Sequence, residues 1–312
     1  MLALRVPEAR RHAVAEASIV LTVVLWGCGA VLIKLSGFPG LTFAFYRLWF
    51  GFLAMLVVLL ASGRRPTWRM LIVAAPGGAL LGLDVTFFFV AVKQTSVADA
   101  TMIGALQPVL VLLIAGRWFG ERVGPREVVL VLLSLVGVAM VAVGSAGSPA
   151  FSVGGDLLAF AALFAWTGYW LVTKRTRSRL PALEYMTGVM LTASLVITPV
   201  MLVSGSSFAA TKPTDWLWLG LFVLLPSTTG QAVVAWAHRY VEVWLSSLLL
   251  QGMPVVASLA AFVVLGEPLT PLVIAGGLVV VAATGAIILL SRSRAASAAD
   301  ADAPAVVEAP PL

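Results

Sequence analysis

Ten apolar stretches, each about as long as a bilayer is thick, follow one another from Ala17 to Leu290 with little polar sequence between them. A hydrocarbon core of about 30 Å needs roughly 20 apolar residues at 1.5 Å of helical rise each. Backbone groups facing lipid must find partners within the protein, and the stretches lack the alternating polarity of barrel strands, so each predicts a helix. The spans read as 17–36, 41–62, 70–93, 97–117, 127–145, 155–174, 182–204, 215–238, 243–265 and 272–291. With 61% hydrophobic and 11% charged residues, the chain has too little charge for a soluble domain. The expected fold class is an all-α membrane protein with ten transmembrane helices.

The net charge of +6 would suit a nucleic-acid partner if the twenty Lys and Arg residues were clustered. They sit instead at alternate loops. With the N-terminus in the cytoplasm, sixteen fall inside, among them Arg10, Arg11, Arg64, Arg65, Lys174 and Arg175. Lys34, Arg47, Lys93 and Lys212 remain for the outer half. This asymmetry predicts a multi-pass plasma-membrane protein with both termini cytoplasmic, and no nucleic acid. The first apolar run is too long for a signal core and lacks a clean small-residue site, so it reads as an uncleaved helix. Cys28 is the only cysteine, which excludes an intramolecular disulfide and a thiol-rich metal site. Residues 292–312, rich in Ala, Pro and acid, read as a disordered cytoplasmic tail.

Displacing the chain by 146 residues lays Ala91–Pro125 over Ala237–Pro271 with nine identities in thirty-five positions and no gap. Pro108 meets Pro254, and Gly120-Glu121 meets Gly266-Glu267. A displacement of 140 places Trp26 on Trp166 and Lys34 on Lys174. Residues 1–16 then form a cytoplasmic segment, 17–145 a first five-helix repeat and 155–291 a second. Five is odd, so the second repeat enters the membrane in the opposite sense, the inverted architecture of secondary transporters.

These residues make the chain resemble the drug/metabolite transporter superfamily, EamA-type branch, over nearly its whole length. The resemblance rests on the five-plus-five organisation, on Trp26-Gly27 in the first helix, and on helices 4 and 9. Those two read Gln107-Pro108-Val109-Leu110 through Gly120-Glu121 and Met253-Pro254-Val255-Val256 through Gly266-Glu267. Trp166-Thr167 departs from the Trp-Gly pairing of the first half. The resemblance implies a secondary transporter that exports an amino acid or similar small metabolite; multidrug export and solute import are the alternatives within the superfamily. A receptor-like or structural membrane protein is the alternative of another class.

Asp84 is the costliest residue in the chain, an acid near the middle of the third span. By helical rise it lies about 13 Å below the outer end of its span, and Arg47 about 9 Å below the same surface. Three readings stand: a structural salt bridge with Arg47, a contact for a substrate amine, and a carboxylate that couples proton movement. Trp26, Trp166, Gln107 and Gln251 all fall about 12 to 16 Å from the nearer end of their spans. That is mid-bilayer, where an indole N–H needs a polar neighbour, so cavity lining stands beside helix packing. Trp68, Trp118, Trp216, Trp218 and Trp244 read as interfacial.

Pro108 and Pro254 each free the carbonyl four residues earlier, Gly104 and Leu250, and are expected to kink their helices toward a central cavity or a packed bend. Pro226 through Gly230 loosen the eighth span just before Gln231. Glu121 and Glu267 read as loop anchors, and Gly77-Gly78, Gly82 and Gly276-Gly277 as close helix packing. No phosphate-binding Gly-Lys-Ser/Thr loop occurs, and neither His12 nor His238 has a second His at metal-ligand spacing. The expectation is no enzyme, no cofactor and no metal. The partners are a small-molecule substrate and the lipid bilayer, with protons as a candidate coupling ion and a homodimer allowed.

Overall fold

The computed structural model describes residues 8–94, 103–119, 124–145, 152–176, 179–266 and 269–301, and every regular element among them is helical. The helices are α1 (Glu8–Leu35), α2 (Gly40–Ala61), α3 (Trp68–Gln94), α4 (Gln107–Phe119), α5 (Pro125–Ser145), α6 (Val153–Thr176) and α7 (Ala182–Val203). They continue with α8 (Thr214–Phe222), α9 (Gln231–Ala237), α10 (Val243–Leu249), α11 (Met253–Leu265) and α12 (Pro271–Ala301). Glu121 and Glu267 lie outside the described residues.

Proline and glycine punctuate these elements. Pro39, Pro181 and Pro213 immediately precede α2, α7 and α8, and Pro125 and Pro271 open α5 and α12, where a missing N–H costs nothing. Gly266 closes α11 in the left-handed region at φ 68°, which a side chain would strain.

Seven helical spans among the described residues are long and apolar enough to cross a membrane, and the apolar parts of α5 and α12 are shorter. Large hydrophobic side chains such as Val57, Val203, Val263 and Leu278 cover the outer surface. In water that surface would aggregate; against lipid tails it is matched. The protein is a helical, multi-pass membrane protein.

α3 packs on α6 and α7, α2 on α7, α1 on α11 and on the α8–α9 span, and α5 on α12. Small residues let these backbones approach. Gly78 and Gly82 of α3 face Thr192 and Val196 of α7, and Gly137 of α5 faces Gly276 of α12. The expectation for Gly77-Gly78, Gly82 and Gly276-Gly277 agrees with these crossings.

Four sequence expectations need correction. α12 runs on to Ala301, so 292–301 is helical where disorder was expected; Ala-rich sequence extends an existing helix without a new nucleation cost. α1 likewise begins at Glu8, well before residue 17. Trp244 is 3% exposed within the core, not at an interface, because the short α10 places it against the bundle interior. The fourth correction concerns the ninth span, where a 3-10 turn over Leu250–Gly252 separates α10 from α11. The eighth span changes to π-helical turns over Val223–Gly230, in agreement with the loosening expected from Pro226 through Gly230.

Candidate functional site

Pro226 sits inside the π-helical segment, which spreads the turns around the missing N–H. Its carbonyl accepts the Trp26 indole N–H at 2.8 Å. Gly230, one turn later, keeps this approach open, since a Cβ there would collide with the Trp26 indole nitrogen. The Trp26 ring meets that of Trp166, centroids 5.8 Å apart. From Trp166 the aromatic cluster continues to Tyr169 at 5.5 Å and Trp170 at 5.6 Å. The Tyr169 hydroxyl donates to Gln231 Oε1 at 3.1 Å. Trp26, Trp166 and Gln231 are thus brought together, through a tyrosine three residues beyond Trp166.

Toward the Lys174 end, the bundle is closed. Tyr169 and Trp170 are buried, Trp170 stands edge-on to His238 at 4.5 Å, and Thr173 Oγ1 shares a hydrogen bond with the Tyr185 hydroxyl at 2.9 Å. Lys174 Nζ donates to the Val241 carbonyl at 2.7 Å. Trp26, Trp166, Arg47, Asp84 and Phe89, by contrast, are only partly buried.

Gln251 and Gln107 behave differently from the tryptophans. Gln251 is buried and its Nε2 donates to the Ala105 carbonyl at 3.0 Å, two positions that lie opposite each other in the 146-residue register. Gln107 is also buried, and its Nε2 has no partner among the described residues. The two prolines do not kink continuous helices. Pro108 lies in the first turn of α4 after a turn at Ala105–Leu106, and Pro254 in the first turn of α11. The 3-10 turn gives the Leu250 carbonyl a new donor, the Met253 N–H, so the expected free carbonyl at Leu250 is not present. Ala105 supplies the available carbonyl instead.

Arg47 and Asp84 face each other electrostatically but do not touch. Their charges act on one another, and Asp84 also acts on Tyr169. Arg64 and Glu184 form a contact-distance ion pair at 3.1 Å, whereas among the described residues no hydrogen bond or ion pair joins Arg47 to Asp84. The Arg47 guanidinium lies 5.8 Å from the ring centres of both Phe89 and Phe222. Its Nε is buried without a hydrogen-bond partner.

Tyr169 and Trp170 were not singled out in the sequence, and His238 was weighed only as a metal ligand; the usable signal was Tyr169 lying one turn from Trp166 on the same helix. Asp215 was missed too. At the opposite end from Lys174 its carboxylate accepts the N–H groups of Gly37, Thr211 and Lys212 at 2.8 to 3.0 Å and the Thr211 hydroxyl at 2.8 Å, tying the α1–α2 turn to the start of α8.

A protein of Streptantibioticus cattleyicolor named a probable terminal-alkyne amino-acid exporter is 29% identical over 268 residues, covering 83% of this chain and 88% of its own. An aromatic amino acid exporter of Ancylobacter novellus is 30% identical over 222 residues, covering 69% and 75%. A solved crystal structure shares the fold, with a TM-score of 0.78 at 22% identity over 90% of this chain and 98% of that one. The model of the EamA-like transporter family matches residues 14–143 and then 153–289. Helical spans, a polar and aromatic centre and a match over nearly the whole length agree: the chain belongs to the EamA-like transporter family and is a transport protein, not an enzyme.

Proposed function

We propose that this protein is a secondary active transporter in the plasma membrane that exports an amino acid or a similar small metabolite by alternating access. Its ten helices form two inverted five-helix repeats around a site lined by Trp26, Trp166, Gln231 and Gln251, beside the Pro108 and Pro254 breaks. The contact between Trp26 and Trp166 carries this reading. Repeat-related residues are separated by twice their distance from the pseudo-two-fold axis, so two that touch must lie beside it. The Gln251–Ala105 bond supports the same axis, and such an axis is where transporter repeats rock against each other. The successive family matches support the duplication. The names of the two relatives support an amino-acid cargo.

Metabolites in medium and cytosol, compared with and without expression of this chain, test the proposal. One amino acid or related metabolite is expected to rise outside and fall inside, and Trp26→Ala is expected to reduce that export by about tenfold, a loss of about 1.4 kcal/mol. Unchanged pools with the parent chain would overturn it.

The orientation follows from the charge asymmetry. Arg64–Glu184 joins two segments expected on the cytoplasmic side, and Gly37–Asp215 joins two expected outside. In that frame the closed end around Tyr169 faces the cytoplasm. After replacement of Cys28, a cysteine placed in loop 146–154 should react with an impermeant reagent added outside, and one in loop 62–69 should not. The reverse pattern would invert the topology.

A further inference from the structure

We propose that Arg47 and Asp84 form a two-headed receptor for a zwitterion, Arg47 taking the carboxylate of an α-amino acid and Asp84 its ammonium group. The inference rests on the reading of the region around Trp26 and Trp166 as the transport site. Opposite charges in a low-dielectric interior gain most from direct contact, which offsets part of the cost of leaving water. Here they stay apart, each partly buried, with no hydrogen bond or ion pair between them. The separation is held by packing: the guanidinium is flanked by Phe89 and Phe222, on α3 and at the end of α8.

The flanking rings stabilise a cation but accept no hydrogen bond from its edge. The buried Arg47 Nε therefore lacks an acceptor among the described residues, and Asp84 beside it is only partly buried. A planar carboxylate fits the guanidinium fork with two parallel bonds, a geometry that a lysine could not offer. An ammonium group on the neighbouring carbon then reaches toward the acid. A zwitterion answers both charges and leaves the occupied site with no added net charge, which lowers the cost of moving it across the bilayer. Asp84 lies within electrostatic reach of Tyr169, whose ring is 5.5 Å from that of Trp166, so the ligand side chain would meet aromatic walls. The preferred cargo is an α-amino acid with an apolar side chain.

Binding of each of the twenty proteinogenic amino acids to the purified full-length protein selects the best ligand. Its decarboxylated amine and its deaminated acid are expected to bind at least tenfold more weakly than the parent amino acid. Asp84→Asn should weaken the amino acid at least tenfold and leave the deaminated acid unchanged; Arg47→Gln should weaken it likewise and leave the amine unchanged. If no amino acid binds, or if the best one loses nothing with either head removed, the receptor is overturned. Equal losses for all three ligands in both variants would also overturn it, since that pattern belongs to a structural charge pair. The analogue comparison uses the unmodified protein and decides the matter even if a variant does not fold. Flux in proteoliposomes separates the two readings: binding through both heads without flux overturns export and keeps the receptor, whereas flux of a solute lacking one head keeps transport and overturns the receptor.

Discussion

Tyr169→Ala is expected to destabilise the protein by about 3 to 5 kcal/mol, the range for deleting a buried aromatic ring. The residue is 2% exposed, and its ring packs against Trp166 while its hydroxyl holds Gln231. Truncation leaves a cavity that helices anchored on both sides cannot close. It also leaves Gln231 without this donor in the interior. Tyr169→Phe separates the two contributions, because it keeps the ring and removes the hydrogen bond, for about 1 kcal/mol. Unfolding in detergent, followed for both variants, measures the difference. The same pair reports on the closed end: a 1 kcal/mol bias shifts a two-state population about fivefold, so Tyr169→Phe should raise the reactivity of a cysteine placed near Tyr185. A Tyr169→Ala protein as stable as its parent would show that the packing around this ring is not what closes the bundle.

Gly276→Val is expected to cost about 3 kcal/mol, the upper end of what overpacking costs, and to weaken the association of α12 with α5. A Cβ at Gly276 would lie 2.6 Å from the Gly137 carbonyl oxygen, and one at Gly137 would lie 2.8 Å from the Gly276 oxygen. These obstacles are backbone on both sides, so no rotamer change relieves them and the helices must separate. Gly285 on the same helix is the control, because nothing stands within 4 Å of a Cβ there. Gly285→Ala should be neutral or stabilise by up to about 1 kcal/mol through helix propensity. Thermal unfolding of the two variants should therefore shift in opposite directions, or only for Gly276. Equal behaviour would remove the α5–α12 crossing.

Much of this protein was legible before any tertiary contact was known. The bilayer requires long helices with internally satisfied backbones, so the apolar runs read directly from local chemistry. Registers of 140 and 146 residues pointed to Trp26 with Trp166 and to the Pro108 and Pro254 segments as equivalents. Helical rise supplied the depth of Asp84 and Arg47, but depth is a single coordinate. It says nothing of the lateral gap that leaves these two charges out of contact, which depends on how Phe89 and Phe222 pack around the guanidinium. A matching register likewise does not imply contact: that Trp26 touches Trp166, and that Gln251 bonds to Ala105, is decided by how the helices pack. A proline announces a missing N–H, yet only the surrounding helices decide whether the chain kinks, spreads into π-helical turns as at Pro226, or tightens into a 3-10 turn as before Pro254. Tyr169 looks in sequence like any buried aromatic; it becomes part of the closed end because folding sets Gln231 opposite its hydroxyl. One-dimensional patterning thus determined most of the helices, while the contacts of the candidate site came from side chains meeting across helices that are far apart along the chain.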